Sequence, residues 1–273
     1  MRDGRRGRTL LRYLDYLRIC FRMSVFRALE YRSGVFFQYV VDIVWYVVQF
    51  ALLRTAFSYV AEVAGYNLAE CYLFLAFLFS TDAVSMLFFN GGLEHFTRSV
   101  RTGGLDFYIL KPMPTLYQMT VARVSLAGLL NLGFTVFFWG YVLRRFQVHY
   151  SFAHWLWAIL LFTNGIFVNI TFRLTISCLS LWTIEGGSLN WLFHELMRFG
   201  SKPEAIYGKW ARRILISVVP ALLLSAWPCM ALIRKPSYWA LGVPFLVSAV
   251  AGLALAGIWR LGLRRYEGLS FQA

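Results

Sequence analysis

Six runs of apolar residues, each ended by a short polar stretch, divide the chain: 35–57, 71–89, 121–143, 152–182, 214–233 and 238–263. Each lies near the ~20 residues an α-helix needs to cross about 30 Å of hydrocarbon. None alternates strictly between apolar and polar, so the pattern predicts helices rather than barrel strands, and in lipid a helix bonds each amide within its own segment. The predicted fold class is therefore an all-α integral membrane protein with six transmembrane helices. Its parts are a cytoplasmic amphipathic or elbow segment (1–34), a six-helix membrane domain (35–263) and a cytoplasmic tail (264–273).

The polar interruptions carry their own patterns. Over residues 10–29, Leu10, Leu14, Leu17, Phe21 and Ala28 share one helical face, and Arg8, Arg12, Arg18 and Arg22 gather on another. This predicts a helix lying on the membrane surface, with cations at anionic headgroups. It is either an anchor that sets topology or an elbow that passes movement to the first span. After span 2, Asn90, Gly91 and Gly92 predict a helix stop. A short amphipathic helix follows over 93–100 with Glu94, His95, Arg98 and, just beyond, Arg101, closed by Thr102, Gly103 and Gly104; Pro112 and Pro114 stiffen the approach to span 3. A second polar segment, 183–213, has a similar plan: Gly186 and Gly187, a helix over 188–199, then Ser201, Lys202 and Pro203 before Arg212 and Arg213; it predicts a second structured loop on the same face. In the fifth run, Pro220 and Pro228 each remove a backbone donor and predict a broken, partly re-entrant span. Ser248, Gly252 and Ala256 form a small-residue strip suited to close helix packing.

Composition agrees with this pattern: 59% of residues are hydrophobic, 15% are charged and the mean hydropathy is +0.58. The net charge of +14 would suggest nucleic acid in a water-soluble domain, but here the cations flank the spans, and no nucleic-acid partner is expected. With the N-terminus inside, the inner set holds the nine arginines of residues 2–32 with Arg98, Arg101, Lys111, Arg198, Lys202, Lys209, Arg212, Arg213, Arg260, Arg264 and Arg265. The outer set is Arg54, Arg144, Arg145, Arg234 and Lys235. About twenty of the 27 basic residues thus fall on one side, which puts both termini in the cytoplasm. Cys20, Cys71, Cys178 and Cys229 show no metal or disulfide spacing and read as packing residues. The basic start does not lead into a cleavable signal peptide.

Four charges fall inside the predicted spans: Asp42, Asp82, Arg123 and Arg173. Each costs at least about 2.5 kcal/mol at mid-bilayer. Two readings stand: the arginines snorkel to the inner headgroups, or Asp82 pairs with Arg123 or Arg173 across neighbouring helices, in which case Asp82→Asn destabilises the assembly. The abundant aromatic residues read mainly as interfacial belts, with a minority suited to an apolar path. There is no GxxxxGK[ST], HExxH or GxSxG string, and His194 beside Glu195 reads as a surface pair. No catalytic or metal-binding residues are expected, and the chain is not predicted to be an enzyme.

Gly104, Leu105 and Asp106, followed by Leu110, Lys111 and Pro112 and by Leu116, Tyr117 and Gln118, resemble the signature after span 2 of ABC-2 type transporter permeases, the bacterial branch of unassigned substrate in particular. Pro203 to Tyr207, Pro220 and the Trp227–Pro228 pair resemble that branch's proline-punctuated segment near span 5, although Trp227 stands where tyrosine is more frequent. The resemblance implies a permease subunit of an ATP-driven transporter, most readily an exporter, in a bacterial inner membrane. It would form a homodimer or heterodimer with a second permease chain and bind two separate ATPase subunits, which would hold the ATP and Mg; no cofactor is implied for this chain. A coupling helix in the loop after span 2 would then fall on Glu94, His95, Arg98 and Arg101. The rival reading is a non-transporting membrane scaffold or sensor that recruits partners through its basic face.

Overall fold

Asn67 shows how locally the helices are specified: its side chain accepts from the Glu70 amide at 2.9 Å while the Glu70 carboxylate accepts from the Asn67 amide at 2.8 Å. This reciprocal cap satisfies two donors that a helix start leaves unpaired. The computed structural model describes residues 3–63, 65–121, 123–146, 150–182, 186–217, 219–233 and 238–266, and among them it is helical without a sheet. The long helices are α1 (Asp3–Glu30), α2 (Arg32–Tyr59), α3 (Leu68–Ser85), α7 (Leu126–Phe146), α8 (Phe152–Cys178) and α12 (Tyr238–Arg265). The short ones are α4 (Gly91–Arg101), α5 (Asp106–Ile109), α6 (Thr115–Thr120), α9 (Gly186–Met197), α10 (Lys209–Ser217) and α11 (Ala226–Ile233).

Five helical runs among the described residues are long and apolar enough to cross a membrane: Arg32–Tyr59, Leu68–Arg101, Leu126–Phe146, Phe152–Leu181 and Gly242–Arg265. The chain is thus an all-α, multi-pass membrane fold. Helices α2, α3 and α7 pack up and down, with Tyr46 against Phe79 (4.4 Å between ring centroids) and Phe79 against Phe138 (5.1 Å). Helix α8 runs beside α3 in the same direction, joined by Asn169 to Ser85 at 3.2 Å. A fully buried cluster of Tyr46, Phe79, Val142, Leu222 and Leu232 fills the middle. Helices α2 and α12 instead leave Phe37, Val41, Val48, Leu246, Val250 and Leu253 exposed, as suits elements whose surroundings are hydrocarbon.

Helix α12 runs parallel to α8: Asn164 donates to Ser248 at 2.7 Å, and further along a Cβ on Gly262 would lie 2.4 Å from the Leu181 side chain. The intervening chain must therefore return from one end of the bundle to the other, and it does so in pieces. Helix α9 climbs back along α8, with Phe193 5.8 Å from Phe172. Gly200 then meets the Ala221 carbonyl, and Gly165 of α8 meets the Leu223 carbonyl, both at 2.4 Å from an ideal Cβ. The expectation of 183–213 as a second loop beside the first is therefore corrected, with 183–185 outside the described residues. Glu195 and Arg198 face outward while Phe193 and Gly200 face in, so a climbing segment with one polar face resembles a loop in sequence. In the run 214–233, helix α10 ends at Ser217, and just past Pro220 residues Ala221–Leu223 form a single 3-10 turn. Pro228 breaks nothing, because it occupies the first turn of α11, where the missing N–H has no intrahelical partner in any case. Pro244, inside α12, has the more disruptive position; the Ser248 hydroxyl donates to the Pro244 and Phe245 carbonyls at 2.9 and 3.1 Å.

Candidate functional site

The end of the bundle where α2 begins and α12 finishes carries the motif-rich loop. The expected helix stop at Asn90, Gly91 and Gly92 is absent: helix continues from α3 through one π-helical stretch, Met86–Asn90, into α4. The wider turn frees the Leu87 carbonyl, which accepts from the Ser125 amide at 3.0 Å. The glycines serve approach rather than termination. A Cβ on Gly92 would fall 2.0 Å from the Thr120 carbonyl oxygen, one on Gly91 3.1 Å from Arg123, and one on Gly128 of α7 2.5 Å from the Leu87 nitrogen. The stop comes one helix later, at Gly103, whose φ of +69° is the left-handed conformation that ends a helix and favours glycine. From Leu68 to Arg101 the run spans 34 residues, about 51 Å at 1.5 Å per residue. That exceeds the roughly 30 Å hydrocarbon core, so the run of α3 and α4 is longer than one upright crossing needs.

Within α4, Leu93, Phe96, Thr97 and Ser99 point inward while Glu94, Arg98 and Arg101 lie exposed along one ridge. His95 is not on that ridge; it turns to the loop and shares a 2.8 Å hydrogen bond with the Tyr108 hydroxyl. Phe96 and Leu105, both fully buried, pack with Met119, Cys178 and Leu181, so the signature leucine is a core residue. Gly104 completes the turn, and Asp106 opens α5. Burial, then the charge of Asp106, raises the pKa of the Tyr266 phenol, which brings the loop against the end of α12. Lys111 sits 4.8 Å above the Tyr108 ring, and Pro112 and Pro114 lead into α6. Phe107 and Leu110, in the loop that follows α4, stand 68% and 83% exposed. The sequence reading missed this apolar tip, although the unbroken apolar run of Phe107, Tyr108, Ile109 and Leu110 between Asp106 and Lys111 was its signal.

The charges expected inside the membrane divide differently. Arg123 precedes α7, which starts at Leu126, and lies against Gly91 at the bundle end. Arg173 is 8% exposed, donates to Asn90 and sits 5.4 Å over the Phe193 ring, so it faces protein and does not snorkel. Asp82 accepts from Tyr46 OH at 2.7 Å, and Asp42 accepts from Gln38 at 2.9 Å and Asn131 at 2.7 Å. Among the described residues no carboxylate forms a salt bridge with either arginine; Arg198–Glu195, 3.0 Å, is an exposed pair. Neutral donors replace the expected ion pair. The consequence for Asp82 is reversed: Asp82→Asn keeps an acceptor for Tyr46 and is expected to cost under about 1 kcal/mol, whereas Tyr46→Phe strands the acid and is expected to cost about 1–3 kcal/mol. Thermal unfolding of the purified variants in detergent checks the order.

Between α2, α3 and α7 an apolar cavity of about 210 Å³ is walled mainly by Tyr46, Phe50, Phe79, Phe134, Phe138 and Tyr141. The described residues contain no group of three or more His, Cys, Asp or Glu able to hold a metal ion, and the side chain of His194 lies outside the described residues. A family model described as ABC-2 family transporter protein matches residues 43–270. No curated protein and no solved structure matches the chain.

Proposed function

The chain belongs to the ABC-2 family of membrane transporters, and from that premise we propose that it is the permease subunit of an ATP-driven exporter, driven through the exposed ridge of α4. The reading rests on one observation above all: Glu94, Arg98 and Arg101 stand outward on a helix continuous with the most buried span. A displacement of that ridge acts on α3 directly. The π-helical stretch and the close Gly92 and Gly128 contacts transmit it to α6 and α7 rather than absorbing it. Since this chain has no phosphate-binding glycine loop, ATP and Mg belong to two partner ATPase subunits. A second permease chain, identical or homologous, completes the path.

Six crossings follow if the return from Trp182 to Tyr238 counts as one: α9 makes the first half and α11, eight residues and about 12 Å long, the second, with Pro220 at the break. Arg98, Arg101, Lys111, Arg123, Arg260, Arg264 and Arg265 share the α4 end with the arginine-rich α1, against Arg54, Arg144 and Arg145 at the other; Arg198, Lys202, Lys209, Arg212 and Arg213 leave the inner set, because the chain has climbed away from the α4 end before it reaches them. That asymmetry supports cytoplasmic termini in a bacterial inner membrane. Purification of the tagged chain from its native membrane in mild detergent tests the reading. An ATPase recovered in stoichiometric amount with two permease chains supports it; a chain that purifies without any ATPase overturns it in favour of a scaffold.

A further inference from the structure

Tyr108 and Gln118 join three elements that sequence alone leaves separate. The Gln118 side chain is fully buried, and its Nε2 donates to the Met113 carbonyl at 2.8 Å and the Tyr108 carbonyl at 3.2 Å. Both partners are acceptors only, so the amide orientation is fixed by chemistry. One side chain therefore closes the loop of residues 108–113 onto α6. On the α4 side, Tyr108 holds His95 through its hydroxyl. On the other side, the Gln118 backbone carbonyl, not its side chain, accepts from Tyr16 OH at 3.3 Å, and the adjacent Tyr117 OH donates to the Tyr13 carbonyl at 3.0 Å, with the Tyr13 and Tyr117 rings edge to face at 4.9 Å. Tyr13 and Tyr16 belong to α1. An unbroken path thus runs from α4 through His95, Tyr108 and Gln118 to α1.

We propose that Gln118 is a positioning residue that clamps α4, the signature loop and α1 into one rigid body, so that α1 moves whenever α4 is pushed. The clamp is a statement about this chain alone; its use in transport rests on the proposed coupling at α4. Hydrogen bonding across a buried amide suits the task, since bonds with directional donors resist sliding where apolar packing would permit it.

The test places spin labels on Arg18→Cys of α1 and Thr102→Cys at the end of α4, both exposed; the four native cysteines are buried. The full chain in detergent is expected to give one narrow interlabel distance distribution. Gln118→Met, which keeps the volume but has no donor, is expected to broaden it while the exchange protection of α3 and α7 amides stays unchanged. Gln118→Glu points a carboxylate at two carbonyls at neutral pH and is expected to be broad. It is expected to narrow again at acid pH, when the protonated group can donate to Met113; a purely space-filling role would not show that recovery. Tyr16→Phe combined with Tyr117→Phe removes both hydrogen bonds between α1 and α6, leaving the Ser24 hydroxyl that accepts from the Val124 amide, and is expected to broaden the distribution even if Gln118 variants fail to fold. A narrow distribution in Gln118→Met or in the double tyrosine variant, or a broad one in the parent chain, overturns the proposal. If the clamp opens in Gln118→Met yet transport by the ATPase complex is unchanged, the clamp stands and the drive through α4 is what fails.

Discussion

Alanine at Gly92 is expected to lower stability by about 3 kcal/mol, the upper part of the usual range for overpacking, and to loosen α4 from α6. The new methyl would sit 2.0 Å from the Thr120 carbonyl oxygen and 2.6 Å from that of Met119. Those are backbone atoms of a short helix, so no rotamer change relieves the clash. Either the π-helical stretch unwinds or α6 moves away, and both remove the Ser125 to Leu87 hydrogen bond that joins α3 to the start of α7. Gly133 provides the internal contrast. It lies inside α7 with nothing within 4 Å of its would-be Cβ, so Gly133→Ala is expected to stabilise by about 0.5–1 kcal/mol through the lower entropy of the unfolded chain. Thermal unfolding of the two variants in the same detergent decides the matter. Equal midpoints would show that α4 does not pack as described.

Charge reversal on the exposed ridge is expected to have the largest functional effect. In Arg98→Glu, affinity for the partner ATPase is expected to fall on the order of tenfold or more, since a desolvated interface charge that loses its partner costs about 2–5 kcal/mol. Membrane insertion and thermal stability are expected to stay as in the parent, because the Arg98 guanidinium makes no described bond within the chain and its side chain is exposed. Glu94→Lys is expected to act in the same direction from the other end of the ridge. Phe107→Ala is expected to add to either, as an exposed aromatic next to charged residues has the profile of an interface anchor. The readouts are ATPase recovered per permease and transport per ATP hydrolysed. Full values in Arg98→Glu would move the docking surface away from α4.

Much of this architecture is legible without coordinates because the bilayer leaves few solutions. A run of about twenty apolar residues must be a helix; the runs at 35–57 and 71–89 fall within a structural span, and those at 121–143, 152–182 and 238–263 overlap one for most of their length. Amphipathic spacing also placed Glu94, His95, Arg98 and Arg101 on one short helix, though His95 turns away from the exposed side toward Tyr108, and Gly103 was correctly read as part of a helix end. The failures share a cause. Gly91 and Gly92 look like a terminator, since glycine permits both a left-handed turn and a close approach, and only the position of Thr120, far along the chain, distinguishes them. Asp82 and Arg173 look like an ion pair because they are the opposite charges available, but Tyr46 and Asn90 are nearer once the helices are packed.

Sequence by itself therefore determined the helical membrane fold, the site of the basic loop and the lack of a phosphate-binding glycine loop, all of which follow from local composition and period. Tertiary structure decided that α4 continues α3, that α9 runs back along α8, and that the Gln118 side chain closes the loop of residues 108–113 onto α6. Those outcomes depend on which backbone oxygens and side chains meet between separate elements, and local pattern carries no record of such contacts.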